Sequence, residues 1–439
     1  MSDYQVSDEL ALWWLADPAQ PRHVGTLRLV RRGARQSAGV SLEYNAAWLQ
    51  SGMALSEDLP LRAGEFLPAE PDAAAGAIDD ARPDRWGERV IRLLDRPPRL
   101  STLEYLYFAG DDRFGALGVS TSPADYQPRR FGPLPGLADM QALHDLVRQV
   151  EAGEPVQEAL RRLVSPGATL GGARPKALLV MDGAQWVLKF GDAGNPLDSP
   201  LIEHATMTLA QQAGITVCET RPLRLDVGHA VAVRRFDRVH AGAGSSPHTR
   251  TGDNAATALL RLHALSAHTA LRAAGQPYGY PELALLLRRR APADEFAAQG
   301  AQLFRRMVFN ILIDNTDDHE KNHALIVAPV QPGKAKPGAT RHYRLSPAYD
   351  VLPSGQALGS QQMRVGRDGA DATLTNALSE HRAFALTAPQ AGKLCAEVAG
   401  VVRRWQAHFT ACGVSGRDID LLAHQIDRAY LREQRDGAA

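Results

Sequence analysis

Alternation between apolar and polar residues predicts a β-rich region over the first 120 residues of the chain. The segments Val24–Val30 and Val40–Tyr44 place apolar side chains at nearly every second position, as in a strand with one buried face. The period changes in residues 81–96, where apolar side chains recur every three or four positions. Pro83 and Asp84 precede that run, and both commonly open helices. One helix is therefore predicted within this β-rich region.

A hairpin followed by helices is predicted after a linker. The stretch 120–136 is rich in Pro and turn-forming residues and is interpreted as the linker, with a helix over 137–150 behind it. The strands Ala177–Met181 and Gln185–Phe190 flank Asp182-Gly183, a dipeptide typical of a tight hairpin turn. The same patterns predict a helix over 201–213, a strand over 229–238 and helices over 254–274, 281–290, 294–314, 388–411 and 416–434.

These elements divide the chain into three regions. Residues 1–135 form a β-rich N-terminal subdomain, residues 136–238 contain the hairpin with its flanking helices, and residues 239–439 are mainly helical. A length of 439 residues is enough for two or three such compact units and too long for a lone binding module.

Composition and charge exclude several function classes. Basic and acidic side chains both number 49, which excludes nucleic-acid binding through a global basic field. The spacing of Cys218, Cys395 and Cys412 excludes a disulfide scaffold and a cysteine-based zinc site, and suits a reducing cytoplasm. The first residues do not form a secretory signal, and no window approaches about 18 uninterrupted apolar residues. We therefore expect a cytoplasmic protein with no membrane partner.

The richest chemistry lies in residues 309–329, between an apolar helix and an apolar strand. A dense run of Asp, Asn, His and Lys occupies positions 314–323. The simplest interpretation is helix capping by Asn315 or Asp317 together with solvated charge. Two catalytic interpretations compete with it.

The first catalytic interpretation is a zinc hydrolase. His319 to His323 match the H-E-x-x-H signature, which needs both histidines on one face of a continuous helix and a third ligand. Turn-like residues precede the match and strand-like residues follow it, and no G-x-x-H extension is present. The match therefore lacks its usual context.

The second catalytic interpretation is a kinase. Asp317 and Asn322 have the D-x-x-x-x-N spacing of a kinase catalytic loop, in which the Asp accepts the proton of an attacking hydroxyl and the Asn holds Mg²⁺. Lys321 lies between them, where an ammonium group would steady the transferring phosphoryl group. Asp350 follows a predicted hairpin and is placed like the second metal-binding Asp of a kinase.

The order of elements upstream agrees with the kinase interpretation. The segment 167–176 is glycine-rich without being a Walker A loop, and backbone N–H groups in such a loop can approach phosphates. Lys189 lies in the following hairpin and Glu203 in the next helix, the order of a kinase N-lobe. A buried Lys needs an anion, which is either a phosphate or Glu203 in a structural ion pair.

With these motifs the chain resembles the HipA family of bacterial serine/threonine kinase toxins. The matching segments are PDRWGERV (83–90), TLGGARPK (169–176), WVLKFG (186–191), VRRFDR (233–238), NTDDHEKN (315–322) and AYDVLP (348–353). The resemblance implies an α+β, two-lobed, protein-kinase-like fold with a β-rich, elaborated N-terminal lobe and an all-helical C-terminal lobe. Residues 136–238 would then be the nucleotide-binding part of the N-lobe, and residues 239–439 the C-lobe with the catalytic and metal-binding loops.

The resemblance also implies roles for individual residues. Asp317 would be the base, with Lys321 beside it, and Asn322 and Asp350 would bind Mg²⁺. Contacts to ATP would come from Gly171, Gly172, Ala173, Arg174, Pro175, Lys176, Lys189, Arg234, Arg235, Phe236, His319, Glu320, Lys321, Asn322, Tyr349 and Asp350.

Regulation and partners are implied by the same family. Its inhibitory autophosphorylation site is a Ser where this chain has Thr169, with Ser165 nearby. Thr169 is the predicted acceptor, because its hydroxyl precedes Gly171-Gly172 in a segment expected to lie close to the bound γ-phosphate. A phosphate on Thr169 would then repel ATP from the glycine-rich loop. Family members are usually neutralised by a small helix-turn-helix antitoxin of the HipB type, through which they meet DNA indirectly. The best-known members phosphorylate glutamyl-tRNA synthetase, so an aminoacyl-tRNA synthetase is a candidate protein substrate.

The sequence thus predicts an ATP- and Mg²⁺-dependent serine/threonine protein kinase that acts as a toxin. A small-molecule kinase of the same fold is the alternative. A degenerate kinase acting as a binding subunit is another, against which the retained Lys189, Asp317, Asn322 and Asp350 argue.

Overall fold

The computed structural model places the chain in three parts, an N-terminal subdomain, a sheet lobe and a helical lobe. The described residues are 4–32, 36–129, 132–167, 174–192, 194–240, 259–327, 342–354, 356 and 358–438.

The N-terminal subdomain is built on a five-stranded antiparallel sheet, in the order β4-β3-β2-β1-β5. Leu12, Leu27 and Leu42 lie on one face of this sheet and are fully buried, as the alternating pattern requires. The predicted strands are confirmed, with longer bounds. The elements are β1 (Glu9–Trp14), β2 (Arg22–Arg32), β3 (Gln36–Tyr44), α1 (Ala46–Ser51), β4 (Glu65–Phe66), α2 (Arg85–Val90), α3 (Thr102–Phe108) and β5 (Leu117–Ser120), with a 3₁₀ turn at Gly76–Ala81.

The helix predicted over 81–96 is present but shorter. Asp84 caps α2 by accepting a hydrogen bond from the backbone N–H of Gly87 at 2.9 Å. After Val90 the chain forms one wider π turn, and Arg96 then adopts a left-handed conformation with φ of +46°. Pro97 follows Arg96 and disfavours a helical residue before it, so the helix cannot continue.

The sheet lobe contains a four-stranded antiparallel sheet, in the order β6-β7-β9-β8. Asp182 and Gly183 connect β6 to β7 with positive φ values of 51° and 71°, which confirms the predicted hairpin turn. Helices α2 and α4 cover one face of the sheet, and α5 covers the other. The elements are α4 (Met140–Ala152), β6 (Lys176–Met181), β7 (Ala184–Phe190), α5 (Ser199–Gln212), β8 (Thr220–Arg224) and β9 (His229–Arg234), with 3₁₀ turns at Leu137–Asp139 and Glu158–Leu163.

The helical lobe is organised around α8, whose apolar residues are buried by α7, α10 and the strand β14. The elements are β10 (Arg238–His240), β11 (Leu259–Arg261), β12 (Ala264–Ser266), α6 (Ala267–Ala273), α7 (Tyr280–Arg290), α8 (Phe296–Leu312), β13 (Ala324–Val327), β14 (Tyr343–Leu345), α9 (Leu374–Ser379), α10 (Ala388–Val402), α11 (Trp405–Ala411), α12 (Gly416–Ile426) and α13 (Ala429–Gly437), with 3₁₀ turns at Glu320–Asn322 and His381–Phe384. Across the described residues, no helix is long and apolar enough to cross a membrane.

A prediction for this lobe needs correction. The helix predicted over 254–274 is wrong for most of its described part, where β11 and β12 precede the short helix α6. Ser266 caps α6 through the N–H of Thr269 at 3.1 Å, and β12 pairs with β13 instead of continuing a helix. The lobe is therefore mainly helical with a three-stranded sheet, β12-β13-β14, that supports the loops of the site.

Candidate active site

The loop between α8 and β13 (residues 314–322, the polar loop) is set by a sharp turn at the end of α8. Asp314 adopts a left-handed conformation with φ of +61°, and its carbonyl oxygen accepts hydrogen bonds from the backbone and side chain of Ser354 at 3.1 and 3.2 Å. Asn315 donates its N–H to the carbonyl of Asn310 at 2.9 Å. These bonds fix the direction in which the loop leaves the helix.

The polar loop forms one wall of a cleft with a volume of about 320 Å³. The opposite wall comes from the sheet lobe and the remainder from the segment after β14. The lining residues are Arg174, Lys189, Asp192, Asn315, Asp317, Asn322, Asp350, Leu352, Ser354 and Gln356. The fold thus brings together the residues predicted to act as base, metal ligands and phosphate contact. Two of them, Lys189 and Asp350, are 161 positions apart in the sequence.

Lys189 bonds to two carboxylates, Glu203 in its own lobe and Asp350 across the cleft. Its ammonium group donates to Glu203 on α5 at 2.7 Å and to Asp350 at 2.6 Å. Lys189 and Asp350 line the cleft, and Lys189 and Glu203 are almost completely buried. The structural ion pair between Lys189 and Glu203, one of the two alternatives for a buried lysine at this position, is present, and Asp350 bonds to the same lysine.

The electrostatics of this cluster follow from burial and from the shared cation. Burial raises the pKa of Glu203, and the charge of Lys189 offsets only part of that rise. For Asp350, burial acts in the same direction, but Lys189 together with Arg174 and Lys176 outweighs it and lowers the pKa below its usual range. Burial opposes the charge on Lys189, and the two carboxylates raise its pKa above its usual range. Lys189 and Asp350 are therefore charged at neutral pH.

Asn322 and Asp350 have the donor atoms that a Mg²⁺ ion prefers. The side-chain oxygen of Asn322 is buried and has no hydrogen-bond partner among the described residues, whereas its amide nitrogen donates to the backbone of Asp317 at 3.4 Å. Asp350 offers carboxylate oxygens on the same cleft. One orphaned amide oxygen and one carboxylate are hard ligands that fit a magnesium ion with water and phosphate completing its shell.

Asp317 lies at the mouth of the cleft with its side chain exposed. Across the described residues its carboxylate has no hydrogen bond or ion pair. Partial burial raises its pKa, the nearby His319 opposes that shift, and Asp350 adds to it. A free carboxylate with a raised pKa is able to accept a proton from a hydroxyl group brought to this position.

A buried polar network supports the loop from below. The carboxylate of Asp318 accepts hydrogen bonds from His323 at 2.9 Å and from the hydroxyl of Tyr280, and Asn310 on α8 donates to the same hydroxyl at 3.2 Å. Burial raises the pKa of Tyr280 well above its usual range, which keeps it a donor. Sequence reasoning missed Tyr280 and Asn310. The sequence does contain an indication of this network, because the polar residue Asn310 lies within an apolar run of α8.

The zinc-hydrolase interpretation lacks the geometry that it requires. Residues Glu320–Asn322 form a single 3₁₀ turn, so His319 and His323 do not share a helix. The ring of His319 accepts a hydrogen bond from the N–H of Lys321 at 3.2 Å, while His323 is committed to Asp318. Within the described ranges, no three His, Cys, Asp or Glu side chains converge in a way that holds a metal ion.

Among the residues predicted to contact ATP around the polar loop, Glu320 and Tyr349 have other contacts in the structure. Glu320 accepts a hydrogen bond from His268 at 2.9 Å, below the loop. The hydroxyl of Tyr349 donates to the carbonyl of Lys321 at 2.9 Å and so ties the metal-binding segment to the polar loop. The side chain of Lys321 is exposed, which leaves it available to a ligand.

The segment 234–236 does not line the described cleft. Arg234 is exposed at the end of β9, and Arg235 is buried in a two-contact ion pair with Asp237 at 2.8 and 2.9 Å. Phe236 stacks on Tyr349, with ring centroids 5.6 Å apart. The guanidinium of Arg235 is therefore occupied by Asp237 and by the backbone carbonyls of Asp112 and Arg113.

Part of the glycine-rich loop lies outside the described residues. Thr169 and Gly171–Ala173 belong to this part, so their predicted roles stay predictions. Arg174 lines the cleft. Lys176 does not line it, because its ammonium group pairs with Asp84 of the N-terminal subdomain.

Comparisons with known proteins agree with this architecture. A family model described as the HipA N-terminal domain matches residues 19–120, and one described as the HipA-like C-terminal domain matches residues 168–405. No curated protein matches the chain by sequence.

Two of the solved structures to which the chain is similar are the following. HipA of Shewanella oneidensis MR-1, from a toxin–antitoxin complex with HipB and operator DNA, is 16% identical with a TM-score of 0.59, over 98% of this chain and 97% of that one. The proinflammatory kinase CtkA of Helicobacter pylori is 12% identical with a TM-score of 0.41, over 63% of this chain and 94% of that one. Full-length agreement with the first structure confirms the predicted α+β, two-lobed, kinase-like fold. Since the C-terminal model alone spans more than half of the sequence, the chain belongs to the HipA family.

Proposed function

We propose that the chain is an ATP- and Mg²⁺-dependent kinase that transfers the γ-phosphoryl group to a serine or threonine hydroxyl of a protein. One observation carries the proposal: Lys189, bonded to Glu203 and Asp350, shares a single cleft with Asp317 and Asn322. These side chains provide a phosphate contact, a pair of metal ligands and a proton acceptor, the parts that phosphoryl transfer requires.

The proposed reaction assigns one task to each group. Lys189 holds the phosphates in the cleft, and Glu203 keeps its ammonium group in place. The carboxylate of Asp317 accepts the proton of the attacking hydroxyl while the hydroxyl oxygen forms a bond to the γ-phosphorus. The bond between the γ-phosphorus and the bridging oxygen breaks, and ADP leaves with that oxygen. Asn322 and Asp350 would hold Mg²⁺, which neutralises charge on the phosphates when bound. The exposed Lys321 would stabilise the transferring group.

Family membership supports a finer proposal about partners and regulation. The neighbouring Shewanella structure contains HipA with HipB and operator DNA. We infer a small helix-turn-helix antitoxin of the HipB type for this chain, contact with DNA only through that partner, and a toxic role. An aminoacyl-tRNA synthetase is the candidate protein substrate, and Thr169 is the proposed autophosphorylation site.

Calorimetric titration with a non-hydrolysable ATP analogue tests the nucleotide site. Affinity is expected to rise at least about ten-fold when Mg²⁺ is added to metal-free protein, because two oxygen ligands then bind the ion together with the phosphates. Removal of zinc is expected to change nothing. Stoichiometric zinc that is lost in the variants His319→Ala and His323→Ala, or an affinity independent of Mg²⁺, would count against the proposal.

A further inference from the structure

Two segments that flank the glycine-rich loop pack against the N-terminal subdomain. Before the loop, a Cβ atom on Gly87 would overlap the carbonyl oxygen of Pro166, so α2 lies directly against that residue. A Cβ atom on Gly167 would lie 2.6 Å from the carbonyl oxygen of Ala109, so this contact also leaves no room for a side chain. The chain entering the loop is therefore held against α2 and against the end of α3.

Lys176, the last residue of the glycine-rich segment, is held by the same helix, α2. The ammonium group of Lys176 pairs with the carboxylate of Asp84, and the indole nitrogen of Trp86 donates to the carbonyl of Lys176 at 2.8 Å. Lys176 is 0% exposed. Burial lowers its pKa and the charge of Asp84 opposes that shift, so this carboxylate favours the charged form of a deeply buried lysine.

The position of Lys176 explains why the contact matters for the cleft. Lys176 on β6 is directly opposite Lys189 on β7 in the antiparallel register. Like charges opposite each other are unfavourable, and each lysine here has its own acidic partner. Lys189 bonds to Glu203 and Asp350, and Lys176 pairs with Asp84. Lys176 also interacts electrostatically with Asp350. A Lys176 no longer neutralised by Asp84 would therefore place more uncompensated positive charge near Asp350 and Lys189.

We propose that Asp84, assisted by Trp86, is a positioning residue through which the N-terminal subdomain sets the nucleotide affinity of the cleft. Asp84 acts through Lys176 and does not touch the nucleotide. This inference rests on the proposed kinase function, and it gives the PDRWGERV segment a task in the enzyme that its helical pattern alone does not explain.

The variant Asp84→Asn separates this role from helix capping. Asparagine caps helices as well as aspartate, so α2 is retained while the negative charge is lost. We expect KM for ATP to rise about ten-fold with kcat changed less than about two-fold, since a group that positions the binding site affects ground state and transition state alike. Glu88→Gln is the matched control. It removes an acid from the same helix, where Glu88 pairs with Arg92 at 3.0 Å, and should leave KM unchanged.

A double-mutant cycle identifies the route of the effect. If Asp84 acts through Lys176, combining Asp84→Asn with Lys176→Gln should raise KM no more than Lys176→Gln alone. Amide hydrogen exchange without nucleotide provides an independent reading. In Asp84→Asn, residues 174–180 should exchange faster, while α6 should exchange at the wild-type rate.

The outcomes separate the two proposals. If the wild-type protein neither binds nor uses ATP, the proposed function fails, and the exchange experiment still tests the contact. If the wild-type protein is active but Asp84→Asn has the same KM as Glu88→Gln, the positioning role of Asp84 is overturned. Additive effects in the cycle would overturn the route through Lys176.

Discussion

The polar loop has two faces, and adjacent aspartates occupy them in opposite environments. Asp317 faces the cleft, is exposed, and has no side-chain partner among the described residues. Asp318 is 1% exposed and bonded to Tyr280 and His323. The two residues have the same chemistry and lie one position apart.

This difference separates a reactive group from the groups that hold it. A buried carboxylate with two donors is fixed in place and has little capacity left for a substrate proton. An exposed carboxylate at the end of a rigid loop is free to accept one and is held in position by its neighbour.

The largest effect is expected for Asp317→Asn. The amide keeps the shape of the side chain but cannot accept the proton, so the rate of phosphoryl transfer at saturating ATP should fall about 10²- to 10⁴-fold. ATP affinity and the thermal midpoint should stay at their wild-type values. Steady-state kinetics and calorimetry check the three quantities, and a variant that keeps the wild-type rate would remove Asp317 from the chemistry.

Asp350→Asn should produce the next largest effect. It removes a proposed metal ligand and one of the two carboxylates bonded to Lys189. We expect transfer to fall about 10²-fold, with part of the loss recovered at high Mg²⁺ concentration. A Mg²⁺ titration of the rate measures this. Wild-type Mg²⁺ dependence in the variant would mean that Asp350 does not bind the ion.

Asp318→Asn should affect stability more than any other loop substitution. The neutral amide weakens two buried hydrogen bonds to a charged acceptor, at a cost of about 2 kcal/mol in the free energy of unfolding. Chemical denaturation compares it with Asp317→Asn, which should cost almost nothing. Equal stability of the two variants would contradict the division between the faces.

The smallest effect concerns the pH dependence of stability. Burial raises the pKa of Asp314 to about 6, and Arg428 opposes that shift. The native state therefore binds this proton more tightly than the unfolded state does, so the residue stabilises the fold at low pH and loses that contribution as pH rises through 6. Asp314→Asn should gain about 1 kcal/mol relative to wild type between pH 5 and pH 7. Thermal midpoints across this range measure the difference, and parallel profiles would show that Asp314 does not titrate there.

The sequence allowed the cleft-facing side of the site to be predicted better than the buried side. Lys189, Asp317, Asn322 and Asp350 carry spacings that chemistry imposes, and the fold brings all four to one cleft. Tyr280 belongs to a helix that looks like ordinary packing, since its role depends on a contact with a residue 38 positions away. Such long-range pairing leaves no local periodic signal.

The prediction of helices and strands from local periodicity has the same limit, because it does not detect long-range pairing. The helix predicted over 254–274 is replaced by β11, β12 and the short α6, because β12 finds a partner in β13 that local periodicity cannot indicate. Tertiary pairing overrides helical spacing at this point. Lys176 is a similar case, since the family resemblance implied a contact to ATP but gave no sign of the ion pair that it forms with Asp84 of the N-terminal subdomain.

Transfer of a labelled γ-phosphoryl group tests the central claim most directly. The wild-type chain and Asp317→Asn are incubated with γ-labelled ATP and Mg²⁺, together with a cell extract as a source of acceptor proteins, and label on Ser and Thr is followed. The account predicts Mg²⁺-dependent labelling by the wild-type chain, with ADP formed in step, and none above background by Asp317→Asn. Equal labelling by both proteins, or wild-type labelling that persists in EDTA, would contradict it.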